Sequence, residues 1–203
     1  GERFITVLTA GNLATTQTVI SLLDERTKAP ADRNPSIMTA PSIFQVARMI
    51  GQTLRDVIQD SVASGQEATS TFDATIILGR QIETSEPRLF LIYPEGNFIE
   101  ASEDTPYFQS GETKYGRPIL VRAFDPDMAF EDAIKLLMVS FDSTIKANLS
   151  VGLPLDVQVY EKDSFTSGHN RRIEADDPYY QTISNGWGEA LKEAFQSLPN
   201  YKF

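Results

Sequence analysis

The chain has 203 residues, 41% hydrophobic and 23% charged, which are ordinary values for a folded soluble protein. Its 18 Lys and Arg against 28 Asp and Glu give a net charge of −10, which disfavours nucleic acid and anionic membrane surfaces as partners. Because the chain has no cysteine, disulfides, thiolate catalysis and cysteine zinc sites are excluded. It shows no membrane-span-length apolar run and no signal pattern, so we expect a cytoplasmic protein.

The first half of the chain predicts a strand, two helices and several antiparallel strands. Residues 4–10 are β-branched and apolar, and this strand runs through Gly11 into a helix that fades near Thr27. A proline-rich loop leads to a long helix from its N-cap Ser42 to Gly65, with apolar residues at helical spacing. The strands predicted next are 71–82, a hairpin of 88–93 and 98–102, and a short strand at 107–110.

The second half predicts helices with less β structure between them. A helix is expected from Gly111 to about Ala123. The clearest helix of the chain follows, with Asp127 as its N-cap and Gly152 just past its end. The segment 155–165 then predicts a strand.

The C-terminal segment predicts a last helix from Pro178. Its expected apolar side is Tyr180, Ile183, Trp187, Leu191 and Leu198. Runs of strands and runs of helices without strict alternation indicate an α+β fold, with helices packed on antiparallel sheets. By its length the chain is expected to be a single domain over residues 1–203.

The junction at Gly11 is of the strand–glycine–helix type, which can present free backbone N–H groups to an anion. The stretch "TAGNLATT" has neither phosphate-loop spacing nor a nearby lysine, so nucleotide binding is excluded there. By the residues alone, a glycine that only permits a tight turn is the simpler interpretation.

Other candidate sites have little support from residue spacing. The single histidine, His169, lies in a predicted loop without triad or metal-ligand spacing and is expected to be exposed. Paired carboxylates could serve a sugar hydrolase or bind a divalent metal. Solvated surface is the expected role of the acidic clusters Glu83/Glu86, Glu100/Glu103/Asp104, Asp125/Asp127 and Glu174/Asp176/Asp177. We predict no metal and no cofactor.

Three blocks of the sequence are distinctive: "TVLTAGNLATTQTVISLL", "ILGRQIETSEPRLFLIYPEGNFIEASEDTPYFQSGETKYGRPIL" and "SFDSTIKANLSVGLPLDVQVYEKDSF". Across essentially the whole chain they resemble the proteasome β-subunit superfamily, most closely its bacterial Anbu (ancestral β-subunit) branch. The resemblance implies the four-layer αββα sandwich of the N-terminal-nucleophile hydrolases. It also implies a peptidase whose N-terminal Thr or Ser attacks the scissile carbonyl while the free α-amine takes the proton.

The resemblance implies substrate-facing roles for three residues near the first junction. Gly11 matches the glycine whose N–H forms the oxyanion hole, which would hold the developing charge of a tetrahedral intermediate. Thr9 and Leu13 match positions that line the pocket for the substrate side chain before the cleaved bond.

The resemblance also implies supporting roles near the second strand-to-glycine junction, at Gly111. Gly111 matches the start of a Gly-Ser-Gly turn beside the nucleophile, but Glu112 stands where many relatives have Ser. Asn148 falls where the family has a supporting Asp, and Val151 where it has Ser. These departures are expected to weaken the auxiliary hydrogen-bond network that the family uses.

By the same resemblance, the nucleophile, an Asp and a Lys precede the strand at 4–10 and are expected upstream of Gly1. The chain as given would then be inactive by itself, and Thr6 is no substitute because it lies inside a strand. Family members form homo-oligomeric rings or helical washers that cleave peptides or unfolded proteins. The alternative is a non-catalytic structural or binding subunit of the same fold, and a sugar hydrolase using an acid such as Asp104 is a third possibility.

Overall fold

The structure is a computed structural model that describes residues 2–30, 35–63 and 69–203. These residues form two antiparallel sheets and five α-helices. The chain divides into two units, and each of them contains one of the two sheets. The α+β class with antiparallel sheets is therefore confirmed.

The first unit comprises Gly1–Gly111 and Glu161–Thr166. Its elements are β1 (Arg3–Gly11), α1 (Leu13–Lys28), α2 (Ile43–Ala63), a 3-10 turn (Thr69–Phe72), β2 (Ala74–Ile82), β3 (Arg88–Ile92) and β4 (Phe98–Glu100). The strands pair in the order β1-β2-β3-β4, with Gly11 opposite Ala74. Among the described residues, β1 is thus an edge strand that ends at Gly11.

The core of the first unit joins the sheet to its two helices. Ile76 and Leu78 of β2 and Ile50 and Leu54 of α2 are all fully buried in one apolar cluster. Alternation along β2 and the three-to-four spacing along α2 place these side chains on facing surfaces. Each contributes about 1.5–3 kcal/mol by burial. Val7 packs on the same cluster, so the core sets the course of β1 toward Gly11.

The second unit comprises Glu112–Tyr160 and Ser167–Phe203. Its elements are α3 (Arg117–Ala123), α4 (Phe130–Ala147), β5 (Leu155–Gln158), β6 (Asn170–Ile173) and α5 (Pro178–Ser197). β5 and β6 pair antiparallel, and their sheet contributes Ile173 to a small core with Met138 and Tyr180.

A buried polar network ties α5 to α4 in the second unit. The carboxylate of Asp142, which is fully buried, accepts hydrogen bonds from the Tyr180 hydroxyl at 3.1 Å and from Lys146 Nζ at 3.0 Å. Lys146 Nζ also donates to Ser184 Oγ at 2.9 Å. Burial, together with the charge of Asp142, raises the pKa of Tyr180 to about 12. The tyrosine is therefore a neutral donor at neutral pH.

Several predicted boundaries are confirmed and one lies outside the described residues. The strand at 4–10 is the centre of β1, and Ser42 acts as predicted, since its Oγ accepts a hydrogen bond from the Gln45 N–H at 3.3 Å. The predicted stop of α2 at Gly65 lies outside the described residues. The predicted hairpin is present as β3 and β4.

The predicted strand at 71–82 begins too early. Residues 69–72 form the 3-10 turn, and the carbonyl groups of its last two residues bind the start of α1. Asn12 Nδ2 donates to the Thr71 carbonyl at 3.0 Å, and Thr15 Oγ1 donates to the Phe72 carbonyl at 3.0 Å. β2 therefore starts only at Ala74.

Two predictions around Gly111 are wrong. The segment 107–110 is not a strand, because the Ser110 hydroxyl bonds to the Thr75 hydroxyl on a face of the sheet instead of joining a sheet edge. The helix expected to follow Gly111 directly begins at Arg117, since Gly116 is its N-cap and Pro118 lies in its first turn.

Three further predictions in the second unit are corrected. The N-cap of α4 is Ala129 rather than Asp127, whose own N–H donates to the Asp125 carboxylate in the preceding turn at 2.9 Å. The α4 helix was expected to end just before Gly152, but it ends earlier, with Asn148 as its C-cap. The strand predicted over 155–165 ends at Gln158, and its partner β6 falls in a segment predicted to be a loop.

Candidate functional site

The junction after β1 requires glycine at position 11. Gly11 has φ of +116°, a conformation that side chains on L-residues disfavour. A Cβ placed there would lie 2.4 Å from the carbonyl oxygen of Asp73. The tight turn thus explains the glycine, and the next question is where its N–H points.

The N–H of Gly11 points away from β2. In an antiparallel pair, alternate residues direct both backbone hydrogen bonds at the partner strand. Asn12 N donates to the Asp73 carbonyl at 2.9 Å, and Glu83 N donates to the Glu2 carbonyl at 2.9 Å, so the even-numbered residues of β1 face β2. The odd-numbered Gly11 therefore turns its N–H to the outer side of the edge strand. A donor there can bind a developing negative charge.

Asn12 builds the start of α1, a role that the sequence-based prediction missed. Its Oδ1 accepts from the Thr15 N–H at 2.9 Å as the N-cap of the helix, and its Nδ2 binds the Thr71 carbonyl. An Asn directly before a helical pattern is itself an N-cap signal. Asn12 thereby holds the end of β1, the 3-10 turn and α1 in one arrangement next to Gly11.

Thr9 and Leu13 lie on either side of Gly11 and are both exposed. Thr9 alternates with Val7 along β1 and so shares the face of the sheet that packs on the helices. Leu13 is the first residue of α1 and is 69% exposed. Two side chains that flank Gly11 along the chain are therefore accessible to solvent.

Gly111 lies next to β1 in the first unit. It has φ of +83°, and a Cβ on it would lie 3.4 Å from the Cβ of Ala10. The preceding residue, Ser110, is held by its hydroxyl contact with Thr75 of β2. The fold therefore brings Gly111 beside Ala10, the residue that precedes Gly11.

Glu112 and Asn148 form a pair in the second unit. Asn148 Nδ2 donates to Glu112 Oε2 at 3.0 Å, and Glu112 Oε1 accepts from the Lys114 N–H at 2.9 Å. Asn148 Oδ1 in turn accepts from the Ser150 N–H at 2.9 Å and the Ser150 hydroxyl at 2.7 Å. Both side chains are half-buried. One negative charge is thus held in place by bonds on both of its oxygens.

The other candidate residues carry surface roles. His169 is exposed, as predicted, and its carbonyl accepts from the Val159 N–H at 2.8 Å. Basic side chains pair with members of the acidic clusters: Lys162 with Glu86 at 2.6 Å, Arg171 with Asp177 at 2.5 Å, Arg172 with Glu174 at 3.2 Å, and Arg88 with Glu100. Within the described residues no group of three or more acidic or histidine side chains could hold a metal ion.

A cavity of about 360 Å³ in the first unit is separate from these residues. It is lined by α1, α2 and Phe72, and neither Thr9 nor Leu13 lines it. Over the described ranges, no helix has both the length and the apolar character that crossing a membrane requires.

Solved structures of other proteins are similar over the whole chain. Anbu from Yersinia bercovieri is 44% identical with a TM-score of 0.90, and the alignment covers 100% of this chain and 83% of that one. Anbu from Hyphomicrobium sp. strain MC1 is 44% identical with a TM-score of 0.89, over 100% and 83% of the two chains. The chain belongs to the Anbu family of proteasome-type N-terminal-nucleophile hydrolases.

A further Anbu structure, a helical assembly of the Anbu complex from Pseudomonas aeruginosa, is 40% identical with a TM-score of 0.90 over 100% of this chain and 82% of that one. No protein-family model matches the chain. No curated protein matches it either. The resemblance to Anbu that the three sequence blocks indicated is thereby confirmed.

Proposed function

We propose that this Anbu-family chain is a subunit of a peptidase that cleaves peptide bonds through an N-terminal Ser or Thr lying upstream of residue 1. Both units would belong to one proteasome-like domain. The observation that carries the proposal is the N–H of Gly11, which faces the outer side of an edge strand instead of β2. The substrates would be peptides or unfolded proteins.

The Gly11 N–H would form the oxyanion hole. When a hydroxyl attacks a peptide carbonyl, the carbonyl oxygen gains a full negative charge, and a donor already aimed at that point lowers the barrier. Removing such a donor in hydrolases costs about 3–4 kcal/mol. The nucleophile would be activated by its own α-amine, whose pKa near 8 suits a general base at neutral pH.

Thr9 and Leu13 would line the pocket for the side chain before the cleaved bond. Both are exposed and flank Gly11 along the chain. Leu13 supplies an apolar surface and Thr9 a hydroxyl, so the pocket would favour uncharged side chains over charged ones, which lose hydration on burial.

Glu112 and Asn148, together with Gly111, would support the nucleophile. An α-amine that accepts a proton becomes a cation, and a nearby carboxylate stabilises the charged form. The pair keeps one carboxylate, but on Glu112 instead of on the residue at position 148. Glu112 would thus take over the role that the family's Asp has.

The subunit would work in a cytoplasmic homo-oligomer, a ring or helical washer that confines proteolysis to an inner surface. Many large apolar side chains of the described residues are exposed, Val121 and Phe195 among them, and subunit contacts would cover such groups.

The test is covalent labelling of the full-length protein with a peptide electrophile that captures an N-terminal hydroxyl. Mass spectrometry should locate a single adduct on the first residue of the mature chain, and changing that residue to alanine should abolish both the adduct and peptide hydrolysis. A folded assembly that forms no adduct and hydrolyses no peptide would refute the peptidase. It would favour the alternative, a non-catalytic structural or binding subunit of the same fold.

A further inference from the structure

Arg80, near the end of β2, is a buried cation with two unpartnered nitrogens. The residue is only 2% exposed, and its Nη1 donates to the Ser42 carbonyl at 3.2 Å. Within the described residues neither its Nε nor its Nη2 has a hydrogen-bond partner. Burying a polar group without a partner costs free energy, and burying an unpaired charge costs far more. The burial of this guanidinium therefore calls for a negative charge beside it.

The two unpartnered nitrogens lie on the same edge of the guanidinium group. In an arginine side chain the Nε and Nη2 N–H groups point the same way, and two oxygens of one oxyanion can accept from both of them. The third nitrogen, Nη1, is already bound to the neutral carbonyl of Ser42. The remaining edge of Arg80 is thus the one that binds a carboxylate or a phosphate through two parallel hydrogen bonds.

Two further arginines lie on the same face of this sheet. Arg88 of β3 is directly opposite Arg80, and Arg3 of β1 is diagonal to it, because the residue of β1 opposite Arg80 is Ile5. Like charges opposite each other on neighbouring strands are destabilising. Burial and the charge of Arg3 lower the pKa of Arg80 to about 10, so its side chain is still a cation at neutral pH.

A carboxylate neutralises only one end of this row of three cations. Glu100 accepts hydrogen bonds from the Nε and Nη2 of Arg88 on both of its oxygens, so its charge is already matched. No carboxylate in the described part of the chain forms an ion pair with Arg3 or Arg80. Two positive charges therefore remain close together in a chain whose net charge is −10. Such a pair of cations is best balanced by a dianion.

Arg3 and Arg80 both contact the loop that precedes α2. The Nη1 of Arg3 donates to the carbonyls of Ile37 at 3.3 Å and Ala40 at 3.2 Å, and these acceptors are neutral, like the Ser42 carbonyl that Arg80 contacts. Since α2 begins directly after Ser42, the positive end of its macrodipole also favours an anion here. Arg3 is only half-buried, so the two arginines extend from the interior toward solvent.

We propose that the Nε/Nη2 edge of Arg80, together with Arg3 and the start of α2, binds a small tetrahedral oxyanion of the phosphate or sulfate type. The anion accepts two parallel hydrogen bonds from Arg80 and also balances the charge of Arg3. It thereby joins the loop before α2 to this end of the sheet. Ile5, opposite Arg80, is roughly 20 Å from Gly11 along the extended strand. The inference is thus independent of the peptidase chemistry.

The probe is inorganic phosphate, titrated into the full-length protein by calorimetry at constant ionic strength. One phosphate should bind per subunit, and the melting temperature should rise with phosphate concentration, because a ligand that binds only the folded state stabilises it. Arg80→Met should weaken phosphate binding roughly 10- to 100-fold. Arg80→Lys keeps the charge but lacks the two-nitrogen edge and should weaken it as well. Arg55→Met, at an exposed position of α2, is the matched control and should bind phosphate like the parent.

A folded parent that binds no phosphate would overturn the proposal. Equal phosphate affinity of Arg80→Met and the parent, with the same helical content by circular dichroism, would place any bound phosphate elsewhere and overturn it too. If Arg80→Met does not fold, Arg3→Gln at the half-buried end replaces it, and an unchanged affinity of that variant counts equally against the site. Sulfate should compete with phosphate, whereas acetate that competes as well as sulfate would contradict a site for a dianion.

Discussion

The amide nitrogen of Asn148 donates a hydrogen bond of 3.0 Å to the carboxylate of Glu112. Asn148 is the C-cap of α4, whereas Glu112 lies in the turn after Gly111, 36 residues earlier in the chain. The family resemblance implies an Asp at position 148 and, in many relatives, a Ser at position 112. From that correspondence we infer that the carboxylate lies on the other residue of the pair, and the pair contains a single carboxylate.

Glu112→Gln should lower peptide hydrolysis by the full-length protein by about 10- to 100-fold. A hydrogen bond to a charged group contributes about 1.5–3 kcal/mol, and the neutral amide cannot stabilise a protonated α-amine to the same extent. The measurement is kcat/KM against pH. Loss of the carboxylate should lower the apparent pKa of the amine, because an ammonium group is favoured by a nearby negative charge.

The pair also allows a charge-exchange test. Asn148→Asp alone would place two carboxylates in contact, so one of them should hold a proton at raised pKa, and activity near pH 7 should fall. The double variant Glu112→Ser with Asn148→Asp restores a single carboxylate and should recover most of the activity. Equal activity of all these variants and the parent would show that the pair has no part in the chemistry.

Leu13→Ala should change substrate preference without changing stability. Because Leu13 is 69% exposed, the free energy of unfolding should move by less than about 0.5 kcal/mol. Preference for a large apolar over a small side chain before the cleaved bond should fall about tenfold in kcat/KM. Ile20→Ala, at an exposed position of the same helix, is the control and should leave the preference unchanged. An identical shift in both variants would argue against a pocket at Leu13.

Asn12→Ala should destabilise the first unit by about 1–2 kcal/mol, because the N-cap of α1 and the bond to Thr71 are lost together. Urea unfolding of the same preparation measures the change. Asn12→Asp keeps the capping acceptor but lacks the amide donor, so it should lose less. If Asn12→Ala and the parent had the same free energy of unfolding, the N-cap of α1 would not be what stabilises the Gly11 junction.

Tyr180→Phe should remove a pH-dependent part of the stability. The pKa of folded Tyr180 is about 12, and unfolded tyrosine titrates near pH 10. The stabilisation from its hydroxyl is thus fully present below about pH 10 and is lost as the pH rises toward 12. The variant should lose about 1.5–3 kcal/mol at pH 7, with the difference shrinking at high pH. Tyr179→Phe, an exposed neighbour, should show neither effect.

The sequence by itself determined the class of fold and the order of most elements. Apolar spacing is a local property, so α2, the centre of β1, the hairpin of β3 and β4, and the anchored half of α5 could all be predicted from it. The family resemblance also came from the letters alone, through three long blocks. It pointed to Gly11, although spacing alone favoured a simple turn there.

Only the tertiary structure decided how the junctions are built. Asn12 Nδ2 donates to the Thr71 carbonyl, and the residues expected to start β2 form a 3-10 turn instead. The Ser110 hydroxyl bonds to the Thr75 hydroxyl, and the segment 107–110 does not join a sheet. The direction of the Gly11 N–H and the pairing of Glu112 with Asn148 likewise depend on residues far away in the chain. Hydrogen bonds between segments that are far apart in the chain can override the local preference for a helix or a strand. The order of apolar and polar residues does not show which distant segments come close enough to form such bonds.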